Sequence, residues 1–215
     1  LGAGPVADAF FVALRLPNLF RSLFAEGAFN AAFVPLFAGT IAEHGRAAAK
    51  RFAEDTLAVL LAALLVMVIA AEVFAPALVH VIAPGFAEEP QKFELTVALT
   101  RITFPYLLYI SLVSLQGGIL NSLERFAAVA ATPTLLNIFL IGALVFVRPV
   151  SGSALAWAVT AAGFAQFLWL MVSCARAGMA LGLPRPRLTP EVKRLLKLMI
   201  PGTFGAGVTQ QIGRA

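Results

Sequence analysis

The chain has 215 residues, 60% of them hydrophobic and only 13% charged, with a mean hydropathy of +0.89 and a formal net charge of +5. Such a balance excludes an ordinary soluble domain. Its cations lie mostly in short segments between apolar runs, with no basic run interleaved with aromatics, so a nucleic-acid partner is not expected; a single Cys174 allows no internal disulfide. Ile102–Leu123, Phe126–Val147 and Ala154–Ala175 each hold 22 residues without a charge, enough to cross a hydrocarbon core of about 30 Å. Continuous runs of this kind point to an all-α, polytopic membrane helix bundle rather than to the short alternating strands of a β-barrel.

Spans are expected, within a single transmembrane domain 1–215, at 5–42, 56–82, 95–123, 126–147 and 154–175, with a truncated sixth at 198–215. The opening Gly2-Ala3-Gly4-Pro5 suggests the tail of an earlier helix, and Arg214-Ala215 falls inside an apolar segment, so the sequence is expected to be a fragment of a longer protein. The first span, GPVADAFFVALRLPNLFRSLFAEGAFNAAFVPLF, is the unusual one, because it carries Asp8, Arg15, Arg21 and Glu26. A charge at the bilayer centre costs roughly 2.5–3.5 kcal/mol, so four of them are expected to line a wet, protein-walled cavity. On a straight helix Asp8, Arg15 and Glu26 fall within roughly 20° of one another, and Arg21 lies more than about 100° away. Pro17 removes a helical hydrogen bond, which predicts a bend or break at Leu16–Asn18.

The remaining elements follow in order. Glu43–Asp55 is a polar connection, Ala83-Pro84-Gly85 a turn, and Ala87–Glu94 an acidic loop. Glu72 and Arg101 are single intramembrane charges near span ends and are expected to be structural. Asn121–Arg125 is a polar break and Arg148–Ser153 a turn. The connection Arg176–Lys197 ends in a helix with Thr189 as N-cap and Pro190 in the first position. Its apolar face, Val192, Leu195, Leu196 and Met199, is expected to lie on the membrane surface. Gly202–Gly207 lacks the lysine and the preceding strand of a phosphate loop, and suits flexibility or close helix contact.

Loop charges set the orientation. One alternate set carries Arg46, Lys50, Arg51, Arg125, Arg176, Arg185, Arg187, Lys193, Arg194 and Lys197; the other has Lys92 and Arg148 with several glutamates. The first set is expected to be cytoplasmic, and the charged helix then runs from outside inward. No nucleophile elbow, paired acids, HExxH or Walker loop is present, and His44 and His80 are too few and too far apart to suggest a metal site. Arginines in a cavity suit recognition of an anion, because the guanidinium offers forked donors to phosphate oxygens. An acidic neighbour keeps such a site from becoming a trap. Prolines 17, 35, 105, 133 and 201 recur in the spans, a pattern suited to alternating access.

ADAFFVALRLPNLFRSLFAEGAFNAAFVPLF closely resembles the second helix of the MurJ/MviN family, the lipid II flippases of bacterial cell-wall synthesis. APGF at Ala83–Phe86, ITFPYLLYISLVSLQGGILNSLERF at Ile102–Phe126 and PTLLN at Pro133–Asn137 match in the same order. Val129 departs from the pattern, standing where relatives often have proline. The resemblance implies most of the N-terminal lobe of a MOP-superfamily exporter, with Asp8 and Arg21 at charged positions the family needs, and Asn18 and Glu26 at its LPN and AEG motif positions. It further implies lipid II as substrate in the bacterial cytoplasmic (inner) membrane, with membrane lipids and the cell-wall synthesis machinery as partners. No cofactor is expected; membrane potential or an ion gradient would supply the drive. The rival expectations are a polysaccharide or O-antigen flippase or multidrug–cation antiporter of the same superfamily, a membrane enzyme acting on polyprenyl-phosphate sugars, and a non-transporting scaffold.

Overall fold

The computed structural model describes residues 4–21, 28–147 and 151–199, without the side chains of residues 16, 19–21 and 28. These residues fold into helices, with no strand among them. The helices are α1 (Pro5–Arg21), α2 (Ala28–Val73), α3 (Ala75–Ile82), α4 (Pro90–Thr103), α5 (Tyr106–Ser122), α6 (Phe126–Ala130), α7 (Thr132–Phe146) and α8 (Gly152–Arg176), with a 3-10 turn at Pro84–Glu88. Residues 190–199 form a last helix, α9. Four stretches among the described residues are long and apolar enough to cross a membrane: Phe29–Val73, Pro90–Ser122, Phe126–Phe146 and Gly152–Arg176. The expected sixth span and the Gly202–Gly207 motif lie outside the described residues.

The bundle is organised around α5. Every residue from Ile110 to Leu120 is buried, and α5 packs against α1, α2, α6 and α8. Small residues make this possible, because helices attract one another in lipid largely through close packing. A methyl group on Gly118 would meet the Phe33 ring at 3.0 Å, and one on Gly163 of α8 would lie 2.6 Å from the Tyr106 ring. Gln116 and Cys174 continue the same interface, with the thiol donating to the Gln116 carbonyl at 3.7 Å.

The expected polar connection at Glu43–Asp55 is helical. Gly45, at φ +80°, turns α2 back on itself, a backbone state that glycine adopts without the Cβ penalty. The rings of Phe33 and Phe52 stack at 5.5 Å across the elbow, whereas a straight helix would separate those residues by about 28 Å. Phe29 and Phe37 extend the stack on the first arm.

Prolines act differently from span to span: α1 runs through Pro17, whereas breaks fall at Pro105 and beside Pro133, and side chains of neighbouring helices bond carbonyls at each place. Of the bend or break expected at Leu16–Asn18, the break is absent: α1 is helical through Pro17. Pro17 has no N–H for the Ala13 carbonyl; Thr103 of α4 donates its Oγ1 hydrogen to that oxygen instead, at 3.2 Å. This is the substitution that makes proline tolerable in a membrane helix. The expected span 95–123 starts earlier, at Pro90, and is two helices meeting at Phe104-Pro105, where Thr160 of α8 donates to the Ile102 carbonyl at 2.6 Å. The span at 126–147 is likewise two helices, broken at Ala131. There Thr132 donates to the Val129 carbonyl freed by Pro133, at 2.8 Å, and Trp169 and Gln166 of α8 bond the Ala128 and Thr132 carbonyls. Thr103→Val, which is isosteric but leaves the Ala13 oxygen unpaired, should lower stability by about 1–3 kcal/mol. The unfolding midpoint of the full-length parent in detergent would register this, and Thr103→Ser should restore most of it.

Gly178, at φ +77°, ends α8, with the Met179 N–H bonding back to the Cys174 carbonyl at 2.9 Å in the manner of a Schellman cap. The chain beyond it is strapped over the α2 elbow. Arg46 donates to the Ala177 carbonyl at 2.6 Å, and the Gly182 N–H donates to Glu54 at 2.8 Å. In α9 the Val192 N–H donates to the Thr189 hydroxyl at 3.4 Å, the expected N-cap. The expected membrane-facing surface is corrected in part: Val192 and Leu195 are each 1% exposed and belong to the protein core, Met199 is partly buried against it, and Leu196 stays exposed. Burial in the bundle core removes Val192 and Leu195 from lipid and water alike.

Candidate transport site

Helix α1 has two faces. Ala9, Phe10, Ala13 and Pro17 are buried toward the bundle, and Asp8, Phe11, Arg15 and Asn18 are exposed. The exposed set recurs at spacings of three and four, which places it along one stripe. Asp8 and Arg15, with Phe11 and Val12, form one wall of an opening of about 440 Å³; Ile82, Ala83, Gly85 and Phe86 form the other. Of the five residues singled out from the sequence, three (Asp8, Arg15 and Asn18) therefore share a face. The Arg21 side chain and Glu26 lie outside what the structure describes.

The partner of Asp8 is a lysine. Lys92, in the first turn of α4, donates through Nζ to Asp8 Oδ2 at 3.1 Å. The lysine side chain is 13% exposed and the aspartate 57%. The same ammonium sits 4.2 Å from the centroid of the Phe86 ring, within cation–π range. Arg15 has no hydrogen-bond or ion-pair partner among the described residues. It lies about 10 Å along α1 from Asp8.

Sequence reasoning placed Lys92 in a loop and gave it no role. The signal was present, because the loop-charge rule puts Lys92 at the same end as Asp8, and Phe86 closes the APGF motif. Glu72 and Arg101 lie apart from this opening: Arg101 Nε donates to the Glu72 main-chain carbonyl at 3.2 Å, fastening the end of α2 to α4.

With this geometry in place, the comparisons with known proteins are specific. The family model described as "Lipid II flippase MurJ" matches residues 1–214. The chain belongs to the MurJ family. It is 49% identical to the probable lipid II flippase MurJ of Rhizobium meliloti, over 98% of this chain and 41% of that protein. Against the lipid II flippase MurJ of Burkholderia cenocepacia it is 42% identical, over 97% of this chain and 42% of the relative. The chain thus spans about two-fifths of the length of these MurJ relatives. A solved structure named "Lipid II flippase MurJ, inward closed conformation" superposes with a TM-score of 0.78 at 23% identity, covering 97% of this chain and 43% of that one. MurJ membership and the helical, multi-span fold agree on a multi-pass membrane chain.

Proposed function

We propose that the chain is the greater part of the N-terminal lobe of a lipid II flippase. In this reading the whole protein carries undecaprenyl-pyrophosphate-linked peptidoglycan precursor from the inner to the outer leaflet of the bacterial cytoplasmic membrane by alternating access. The observation that carries it is the exposed α1 stripe, where Asp8 and Arg15 share an opening although most of the helix is apolar. A charge in that position suits a polar headgroup passing through a protein-lined path. Arg15 and Arg21 would bind the pyrophosphate and its attached sugar-peptide, with the polyprenyl tail left in lipid. Asn18 and Glu26 would complete the polar stripe. No cofactor is called for. Membrane potential supplies about 2.3 kcal/mol per charge per 100 mV, and an ion gradient would serve equally. Contacts with the cell-wall synthesis machinery would follow from the substrate.

The test is complementation. The full-length parent should restore growth to cells depleted of their own lipid II flippase and should restore lipid II to the outer leaflet. A parent present in the membrane at normal levels that restores neither would overturn this function.

A further inference from the structure

Two features of the opening remain unused by the function above, the burial of Lys92 and the choice of Asp8 as its partner, and both lie beside Arg15, which has no partner among the described residues. A lysine whose side chain is only 13% exposed needs a counter-charge, because a cation largely withdrawn from water is costly unless paired. Asp8 supplies it from the wall of the opening, and Phe86, a residue of the opposite wall, supplies a ring face. The ammonium therefore sits one hydrogen bond from the space that Arg15 also borders. Asp8 itself is more than half exposed, so the pair is open to water on the carboxylate side, where ion pairs are worth only about 0–1 kcal/mol. A carboxylate held so loosely on a cation held so firmly is easily displaced by a stronger anion.

We propose that Lys92 is a ligand for the phosphate-bearing headgroup, and that Asp8 is a built-in anion that occupies Lys92 when the headgroup is absent. The inference rests on the flippase function proposed above and adds a residue to its site. A headgroup entering between α1 and the 83–86 turn meets Arg15, which no other group among the described residues holds, and exchanges places with the Asp8 carboxylate at Lys92. Phosphate wins the exchange because it offers more acceptor oxygens and more charge than a carboxylate. When the headgroup leaves, Asp8 returns. This gives Asp8 a definite part: it lowers the affinity of the loaded site so that the cargo can be released, and it keeps Lys92 neutralised in the empty one.

The two residues should then act on binding with opposite signs. The probe is undecaprenyl pyrophosphate, titrated against the purified full-length parent in detergent, with thermal unfolding as a check that each variant is folded. Lys92→Gln should weaken binding about tenfold, the loss expected for one charge-assisted contact, while Lys92→Arg retains it. Asp8→Asn should tighten binding although flipping falls. The double variant Asp8→Asn/Lys92→Gln should bind like Lys92→Gln alone, because Asp8 has nothing to compete for once Lys92 is gone. If Asp8→Asn weakens binding or leaves it unchanged, or if folded Lys92→Gln binds as the parent does, the assignment fails while the function stands. A folded, unsubstituted parent that does not bind the probe at all overturns the phosphate-carrying function, and this inference with it.

Discussion

Replacing Arg15 or Arg21 with alanine in the full-length parent should reduce rescue of flippase-depleted cells to background while membrane levels stay normal. Both arginines lie on a helix that is mostly apolar, and Arg15 faces an opening without any partner to satisfy it among the described residues. Taking one partner from a desolvated, hydrogen-bonded charge pair costs about 2–5 kcal/mol, which is roughly thirty- to several-thousand-fold in the populated complex. Outer-leaflet lipid II should fall in step with growth. Arg15→Lys keeps the charge but loses the fork, so it should recover part of the activity. Full rescue by the alanine variants would mean that these charges only stabilise the helix, and the headgroup path would have to be sought elsewhere.

The second large effect is structural. Gly163→Leu should prevent α8 from docking on α5. Even a Cβ at this position would stand 2.6 Å from Tyr106 Cδ2 and 3.3 Å from Tyr109 Cβ, and Tyr106 is 4% exposed with little room to retreat. Overpacking by a methyl costs about 1–3 kcal/mol, and a whole isobutyl group exceeds what a ring rotation can absorb. The full-length variant should be recovered at much reduced levels and elute broadly in size-exclusion chromatography. Gly142→Leu is the control, since a Cβ there meets nothing within 4 Å and should leave the protein monodisperse. A well-folded Gly163→Leu protein would show that the α5–α8 contact is not the organising one.

Much of this architecture was legible because the bilayer leaves few alternatives. Long apolar runs become helices, and on a helix the seven-residue spacing of Asp8 and Arg15 puts both on one stripe. Asp8 and Arg15 could therefore be placed on a shared face from spacing alone. The details that escaped all depend on partners distant in sequence. Whether Pro17 breaks α1 was decided by Thr103, whose hydroxyl reaches the Ala13 carbonyl from another helix. Lys92 looked like an ordinary loop cation until the fold brought it to Asp8. The apolar face of α9 has the pattern of a helix lying on a membrane, and periodicity does not distinguish lipid from a protein surface as the apolar neighbour. Gly45 was hidden for a related reason: the polar residues around it suggested a loop, whereas helical arms continue on both sides of a single turned residue.

That single residue also bears on how the two arms can move. The two arms of α2 are joined with no slack, and the first of them meets the second through Phe33 and Phe52. With no flexible tether between them, any swing of one arm against the other has to pass through the Gly45 torsions, at φ +80°, and unstack those rings. The elbow therefore transmits displacement from one arm to the other instead of absorbing it.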